Sequence, residues 1–238
     1  MYKLKSKNMS VADIQKLHVI STIIHELRTP LSVINSNIQL LENGKDMMGQ
    51  DMQTESFGYC HDAIKMISVF LDDIGLINKI NKGIVPFTPE IKSLDPFIRK
   101  LVKELGSIKS NRSRLIYRNE NTDIKLNFDT KLMRYALVNL INNALKFSKE
   151  EIIVSVEKYR FGEVRIKVKD SGIGIPKDDL GKIFEIFYRG KNTGMIPGTG
   201  LGMSIVRQCM HLHGGKIYID SKVGKGTEII MSLPYEKF

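Results

Sequence analysis

A heptad constrains this chain more than any other feature. Leu17, Ile20, Ile24, Leu27, Leu31, Ile34, Ile38 and Leu41 recur at alternating spacings of three and four. That is the pattern of one long helix with a single apolar seam. Ser10, with Asp13 three residues on, reads as a capped start, and Asn43-Gly44 as a stop. Phe57, Cys60, Ile64, Ile67, Leu71 and Ile74 repeat the pattern in a second helix, which should fade near Asn81–Gly83, before Pro86. Two antiparallel helices with one seam each cannot cover both seams as an isolated hairpin. A second copy closes the core as a four-helix bundle, so the sequence predicts a homodimer through about residues 10 to 83. The alternative, a hairpin packed on the rest of its own chain, stays open. The regularity of the heptads favours the dimer.

From Val85 onward the period changes. Ile152–Val156, Val164–Val168, Ile217–Ile219 and Glu228–Met231 alternate like strands. Leu94–Leu105, Thr130–Phe147 and Leu201–His211 read as helices. The mix predicts an α+β sandwich with helices on one face of a mixed sheet. The net charge is +10, but residues 1–90 hold 9 Lys and Arg against 10 Asp and Glu, whereas residues 91–238 hold 27 against 16. The basic excess is scattered, without a block of like charges or interleaved aromatics. It fits an anionic small ligand better than nucleic acid, and no nucleic-acid partner is expected. Cys60 and Cys209 give neither a disulfide framework nor metal-ligand spacing, and are read as reduced thiols.

Inside the first helix lies His25-Glu26-Leu27-Arg28-Thr29-Pro30-Leu31. With Ile24 at a seam position, His25 takes the next one and points to solvent, as a nucleophile that must meet other proteins requires. Glu26 can accept the imidazole proton and keep one ring nitrogen free to attack. Thr29, four residues on, shares the His25 face and could orient a water. Pro30 clashes with the Glu26 carbonyl at a cost of about 3 kcal/mol, and a bend there would free the flanking segments to move. A lone exposed histidine is ordinarily just solvated. His18, His61, His211 and His213 are read that way.

Three further motifs follow. In Asn139-Leu140-Ile141-Asn142-Asn143-Ala144-Leu145-Lys146, the residues Asn139, Asn143 and Lys146 share one helical face. An Asn amide oxygen suits Mg²⁺ and a lysine suits phosphate. Asp170-Ser171-Gly172-Ile173-Gly174 follows a strand: its glycines admit a flat ligand, and Asp170 can accept from an exocyclic amine. Gly198-Thr199-Gly200-Leu201-Gly202 leads into a helix, where free amides bind phosphate. It is neither the dinucleotide fingerprint nor a Walker loop. Phe184 and Phe187 read as hinge anchors for a mobile lid that carries Arg189, Lys191, Gly194 and Pro197.

The His25–Leu31 segment resembles the H box of sensor histidine kinases, with Ile24 where the family commonly has Ser. The later motifs, taken in order, resemble the N, G1, F and G2 boxes of that family's ATP-binding domain. The resemblance runs from about Ser10 to Pro234 and implies two domains. An all-α hairpin would form a dimeric four-helix bundle, followed by an α+β sandwich of the histidine-kinase/gyrase/Hsp90-like ATP-binding type. The expected divisions are an extension at 1–9, a dimerisation and phosphoacceptor domain at 10–84 and an ATP-binding domain at 85–238. The implied activity is ATP-dependent phosphorylation of His25, then transfer to an Asp of a response-regulator receiver domain, with phosphatase activity in those members that have it. Catalytic roles would fall to His25, Glu26, Thr29 and Asn143. Asn143 would hold Mg²⁺ and Asp170 would read adenine. Asn139, Lys146, Gly172, Gly174, Arg189, Gly198, Thr199, Gly200, Leu201 and Gly202 would surround ATP.

Two rivals remain at this level. Clamp ATPases of the same fold resemble one another in a Glu at the start of the N box, where this chain has Asn139. A non-catalytic dimerising scaffold is the other. No apolar run is long enough to cross a bilayer, and Met1–Ser10 lacks the apolar stretch of a secretory signal. A cytoplasmic chain is expected, with no membrane contact of its own, or the cytoplasmic portion of a membrane-anchored sensor.

Overall fold

The computed structural model describes residues 11–44, 49–107, 114–119, 124–160, 162–194, 196 and 198–235, and the side chains from residue 17 onward except that of His18. The start expected at Ser10, and Pro197, lie outside the described residues. By compactness the chain divides into two units, 1–74 and 75–238, the division falling inside the second helix. The loop after that helix spans 82–89.

Helix α1, Val11–Asn43, runs without interruption through Pro30 and stops at the expected Asn-Gly, where Gly44 N–H still bonds the Leu40 carbonyl. Helix α2 is Gln50–Asn81. The two meet where the Cys60 thiol lies 3.9 Å from the Ile34 carbonyl. The buried line on α2 runs through Ser56, Ala63 and Phe70, one position before the expected Phe57, Ile64 and Leu71. Those three remain 50% to 56% exposed. On α1, Pro30 is buried, while Leu17, Ile24, Leu31 and Ile38 are 44% to 53% exposed. Each heptad seam is thus wider than a hairpin needs. One edge faces the other helix of the hairpin, and the edge through Leu17, Ile24, Leu31 and Ile38 on α1 and Phe57, Ile64 and Leu71 on α2 stays uncovered.

The second unit has the order β1 (Glu90–Ser93), α3 (Leu94–Gly106), β2 (Leu115–Asn119), β3 (Lys125–Phe128), α4 (Thr130–Phe147), β4 (Ile152–Tyr159), β5 (Glu163–Asp170), α5 (Gly202–Leu212), β6 (Lys216–Lys222) and β7 (Gly226–Pro234). Five strands form one mixed sheet in the order β2-β4-β5-β7-β6, with only β2 and β4 parallel; β1 and β3 form a separate antiparallel pair. Alternation decides the layering. Ile152, Val154 and Val156, with Val164, Ile166 and Val168, are buried on the helix side together with Met231 and Leu233. Arg165, Lys167 and Lys169 stand on the other face, ion-paired to Glu163, Glu157 and Glu228. Ile98, Leu101, Leu137, Leu140 and Ile205 from α3, α4 and α5 complete the core. This is the expected one-sided α+β sandwich.

One reading is corrected here. His213 is buried, not solvated. Its Nε2 accepts the Asp129 N–H at 3.0 Å, and Nδ1 stands 2.7 Å from the Cys209 carbonyl, so the ring proton sits on Nδ1. Asp129 caps α4 by accepting from Lys131 and Leu132 N–H, and its second oxygen takes both donors of Thr88. Burial above all lowers the His213 pKa, which keeps Nε2 an acceptor.

Candidate active site

His25 lies on α1 with its side chain 75% exposed, and its Nδ1 stands 3.7 Å from Glu26 Oε1. The Glu26 side chain is only 18% exposed, so the carboxylate comes to the imidazole from the covered flank of the helix. Thr29 is exposed one turn on. A free ring nitrogen, an adjacent carboxylate and a nearby hydroxyl therefore share one helical surface.

In the second unit, α4, the turn after β5 and the segment before α5 enclose a cavity of about 300 Å³. Asn139, Asn143, Lys146, Asp170, Gly174, Arg189, Gly198, Thr199, Gly200 and Gly202 line it. Two of the residues expected around ATP do not. Leu201 is wholly buried in the core, and Gly172 is used against backbone, where a Cβ would overlap the Phe147 carbonyl. The lining further includes Met203, at the end of the last glycine motif, and Tyr188, beside the phenylalanine pair, together with Asn192, Thr193 and Thr227, which carry no motif signal.

The motifs hold one another in place. Ile173 N–H bonds the Phe147 carbonyl at 3.2 Å, and the Ile173 carbonyl accepts Gly224 N–H from the β6–β7 turn at 2.9 Å. A Cβ at Gly202 would stand 2.5 Å from Asn139 Oδ1, and one at Gly198 would overlap Lys146 Nζ, so the last glycine loop lies directly on α4. Lys146 Nζ also lies 4.9 Å from the Phe147 ring centre. At the lid's ends, Phe187 N–H bonds the Gly200 carbonyl at 3.1 Å. Phe187 has φ +65°, and Gly200, at φ +69°, has no room for a Cβ against the Phe187 backbone. A left-handed non-glycine residue is strained by about 1–3 kcal/mol, so the surrounding contacts enforce this junction.

Asp170 sits at the cavity's inner end, buried. Burial raises its carboxyl pKa, while backbone N–H bonds from Gly172, at 2.8 Å, and Thr227 act the other way. It remains an acceptor in the cavity lining. Asn139 donates to the Tyr135 carbonyl at 3.0 Å. The described residues contain no group of three or more His, Cys, Asp or Glu placed for a metal. Asn143, a neutral amide among the cavity-lining residues, nevertheless suits Mg²⁺, which keeps most of its shell as water and phosphate oxygen.

Comparison with known proteins agrees with this order of parts. Residues 15–83 match the family described as "His Kinase A (phospho-acceptor) domain", and residues 128–237 match "Histidine kinase-, DNA gyrase B-, and HSP90-like ATPase". The catalytic domain of histidine kinase ThkA is 30% identical, with 96% of its length and 63% of this chain aligned at a TM-score of 0.52. The chain belongs to the sensor histidine kinases. Sensor histidine kinase WalK of Bacillus subtilis (strain 168) is 30% identical over 230 residues, 94% of this chain. The chain spans 38% of that relative's length. A structure of histidine kinase ThkA in complex with response regulator protein TrrA aligns with 92% of this chain and 61% of its own, at TM-score 0.68 and 24% identity. Within this histidine-kinase frame the first unit carries the histidine and the second the cavity. No helix among the described residues is long and apolar enough to cross a membrane.

Proposed function

We propose that the chain uses ATP to phosphorylate His25 and passes the phosphoryl group to an Asp of a response-regulator receiver domain. The observation that carries this reading is the His25–Glu26 pair: an exposed imidazole whose Nδ1 faces a carboxylate, in a chain that also holds a glycine-walled cavity. With Nδ1 toward Glu26, Nε2 is the attacking nitrogen. Its lone pair forms the N–P bond to the γ-phosphorus as the bond to the β,γ-bridging oxygen breaks, and ADP leaves. Glu26 takes up the positive charge or the proton released at Nδ1. In the cavity Asp170 accepts from the adenine amine, Lys146 and the Gly198–Gly202 amides meet phosphate oxygens, and Arg189 meets them from the lid. Mg²⁺ held by the Asn143 amide oxygen would balance phosphate charge. Asn139 offers no carboxylate to activate a water, which favours transfer to histidine over rapid hydrolysis.

The exposed seam residues support a homodimer. Leu17, Ile24, Leu31 and Ile38 on one helix, with Phe57, Ile64 and Leu71 on the other, leave an apolar surface that a second copy would cover. The WalK and ThkA likenesses support two-component signalling as the setting. Incubation with labelled Mg-ATP is the test. The wild type should acquire acid-labile, base-stable label, and His25→Gln and Asn143→Asp should each lose it. Mixing the two variants restores label if one subunit phosphorylates the other. Undiminished label on His25→Gln would remove the assignment.

A further inference from the structure

Asp179 ends a short 3-10 turn, Lys177–Asp179, that follows the Asp170–Gly174 motif. Its side chain is wholly buried, yet it does not line the cavity. A buried carboxylate needs donors, and Asp179 takes both of its own from the root of the lid. Oδ1 accepts the Tyr188 hydroxyl at 2.9 Å, and Oδ2 accepts Lys191 N–H at 2.8 Å. These two residues bracket Arg189 on either side. A Cβ at Gly190 would stand 3.3 Å from the same Oδ2, so the chain passes close over the carboxylate. The Lys191 N–H bond, the Tyr188 hydroxyl and the charges of Lys191 and Lys182 hold the Asp179 carboxyl below the usual carboxylate range, against the effect of burial. It therefore stays an acceptor at both oxygens, as two donors require.

Beyond this anchor the lid is internally organised. Arg189 Nη2 donates to the Ile196 carbonyl at 2.7 Å and to the Gly194 carbonyl at 3.3 Å. Asn192 Nδ2 donates to the Gly174 carbonyl at 2.8 Å, tying the lid to the opposite cavity wall. The position of Arg189 at the cavity is thus set by a carboxylate that does not line it, through Tyr188 just before and Lys191 two residues after.

We infer that Asp179 is a positioning residue for phosphoryl transfer: by pinning the Tyr188 hydroxyl and Lys191 N–H, it fixes where the Arg189 guanidinium stands against the nucleotide phosphates. This rests on the kinase reading above. It assigns Asp179 no contact with substrate, so its loss acts only through Arg189.

The experiment compares Asp179→Asn, Tyr188→Phe, Arg189→Ala and the Asp179→Asn/Arg189→Ala double variant in the full chain. The labelling rate of His25, the KM for ATP and the affinity for ADP are read for each. Asparagine has one oxygen and a donor in place of the second, so it cannot serve both partners. Asp179→Asn should lower the maximal labelling rate about tenfold, with ATP KM and ADP affinity each within about threefold of wild type. Tyr188→Phe takes the donor from Asp179 Oδ1 but keeps the Lys191 N–H bond to Oδ2, and should cost about threefold in rate. The double variant should be no slower than Arg189→Ala alone. Rates that multiply in the double variant would overturn the role, as would a fall in ADP affinity parallel to the fall in rate. Should Asp179→Asn fail to fold, Tyr188→Phe with and without Arg189→Ala decides by the same criterion. A wild type that binds ADP but never labels His25 would overturn the kinase reading and this role with it. A labelling wild type with multiplying variants would overturn the role alone.

Discussion

The helical hairpin and the ATP-binding sandwich bury their apolar side chains on different terms. In the sandwich, Phe128, Leu94, Ile98, Leu137, Leu140 and Ile166 are essentially inaccessible to solvent, and the far face of the sheet is charged and ion-paired. In the hairpin only short or well-placed residues such as Ala63 and Phe70 are covered, and a row of leucines and isoleucines lies open. The sandwich finishes its core with its own chain. The hairpin leaves part of its apolar surface open, which in the homodimer proposed above a second copy would cover. The same apolar content would then specify a fold in one region and an assembly in the other.

That contrast can be broken most directly through association. Thermal unfolding should show a helical transition that rises with protein concentration and a sandwich transition that does not. Ile64→Asp, on the open edge, should make the chain monomeric by light scattering and abolish the concentration dependence, since burying an unpaired charge between subunits costs several kcal/mol. A wild type that is monomeric at micromolar concentration would remove the distinction between the regions.

A smaller effect sharpens it. Asp73 lies on α2, and burial, followed by the Asp72 charge, raises its carboxyl pKa to about 6. A raised carboxyl pKa contributes stability that is full below the unfolded value of 3.8 and lost as pH rises through about 6. Asp73→Asn should therefore stabilise the helical transition at pH 7.5 by about 1–2 kcal/mol, a figure already discounted for the exposed part of the side chain. The gain should vanish below pH 4 and leave the sandwich transition unmoved. A gain independent of pH would assign the effect to helix propensity instead.

The smallest effect falls on Thr29. Thr29→Ala should shift helix stability by no more than about 0.7 kcal/mol and leave His25 labelling near normal, because in the proposed mechanism the hydroxyl takes no part in moving the γ-phosphate. It should slow loss of phosphate from a phosphorylated receiver domain. Equal receiver dephosphorylation with wild type and Thr29→Ala would remove that role.

Much of the fold was legible because its signals are local and periodic. The three sandwich helices and four longer strands follow from alternation and from 3.6-residue spacing. Missed were β1, β2 and β3, of four to five residues each, too short for alternation to separate them from loop. On α2 the covered line falls one position before Phe57, Ile64 and Leu71, while Cys60, Ile67 and Ile74 of the same seam are half-buried, because a wide heptad seam offers two edges. The site residues divide likewise. Asn139, Asn143, Lys146 and the glycines stand out by spacing, whereas Asn192 and Thr227 reach the cavity only through tertiary folding. Asp179, in the run Lys177-Asp178-Asp179, has no local mark that sets it apart from its exposed neighbours. His213 looked solvated because nothing local predicts an acceptor bond from Asp129, far away in sequence.

The contact between Phe187 N–H and the Gly200 carbonyl turns the segment between them into a ring. The entropy of closing a ring grows only with the logarithm of its length, about 0.6 kcal/mol for each doubling. Once the ends are stapled, added length costs little. Residues that make no contact outside the segment can be added, removed or changed with little penalty to the sandwich, so long as the Phe187–Gly200 contact and those of Tyr188, Lys191 and Asn192 with Asp179 and Gly174 are kept. Evolution could thus tailor the rim of the cavity as one tailors the span of a handle, leaving the vessel unchanged.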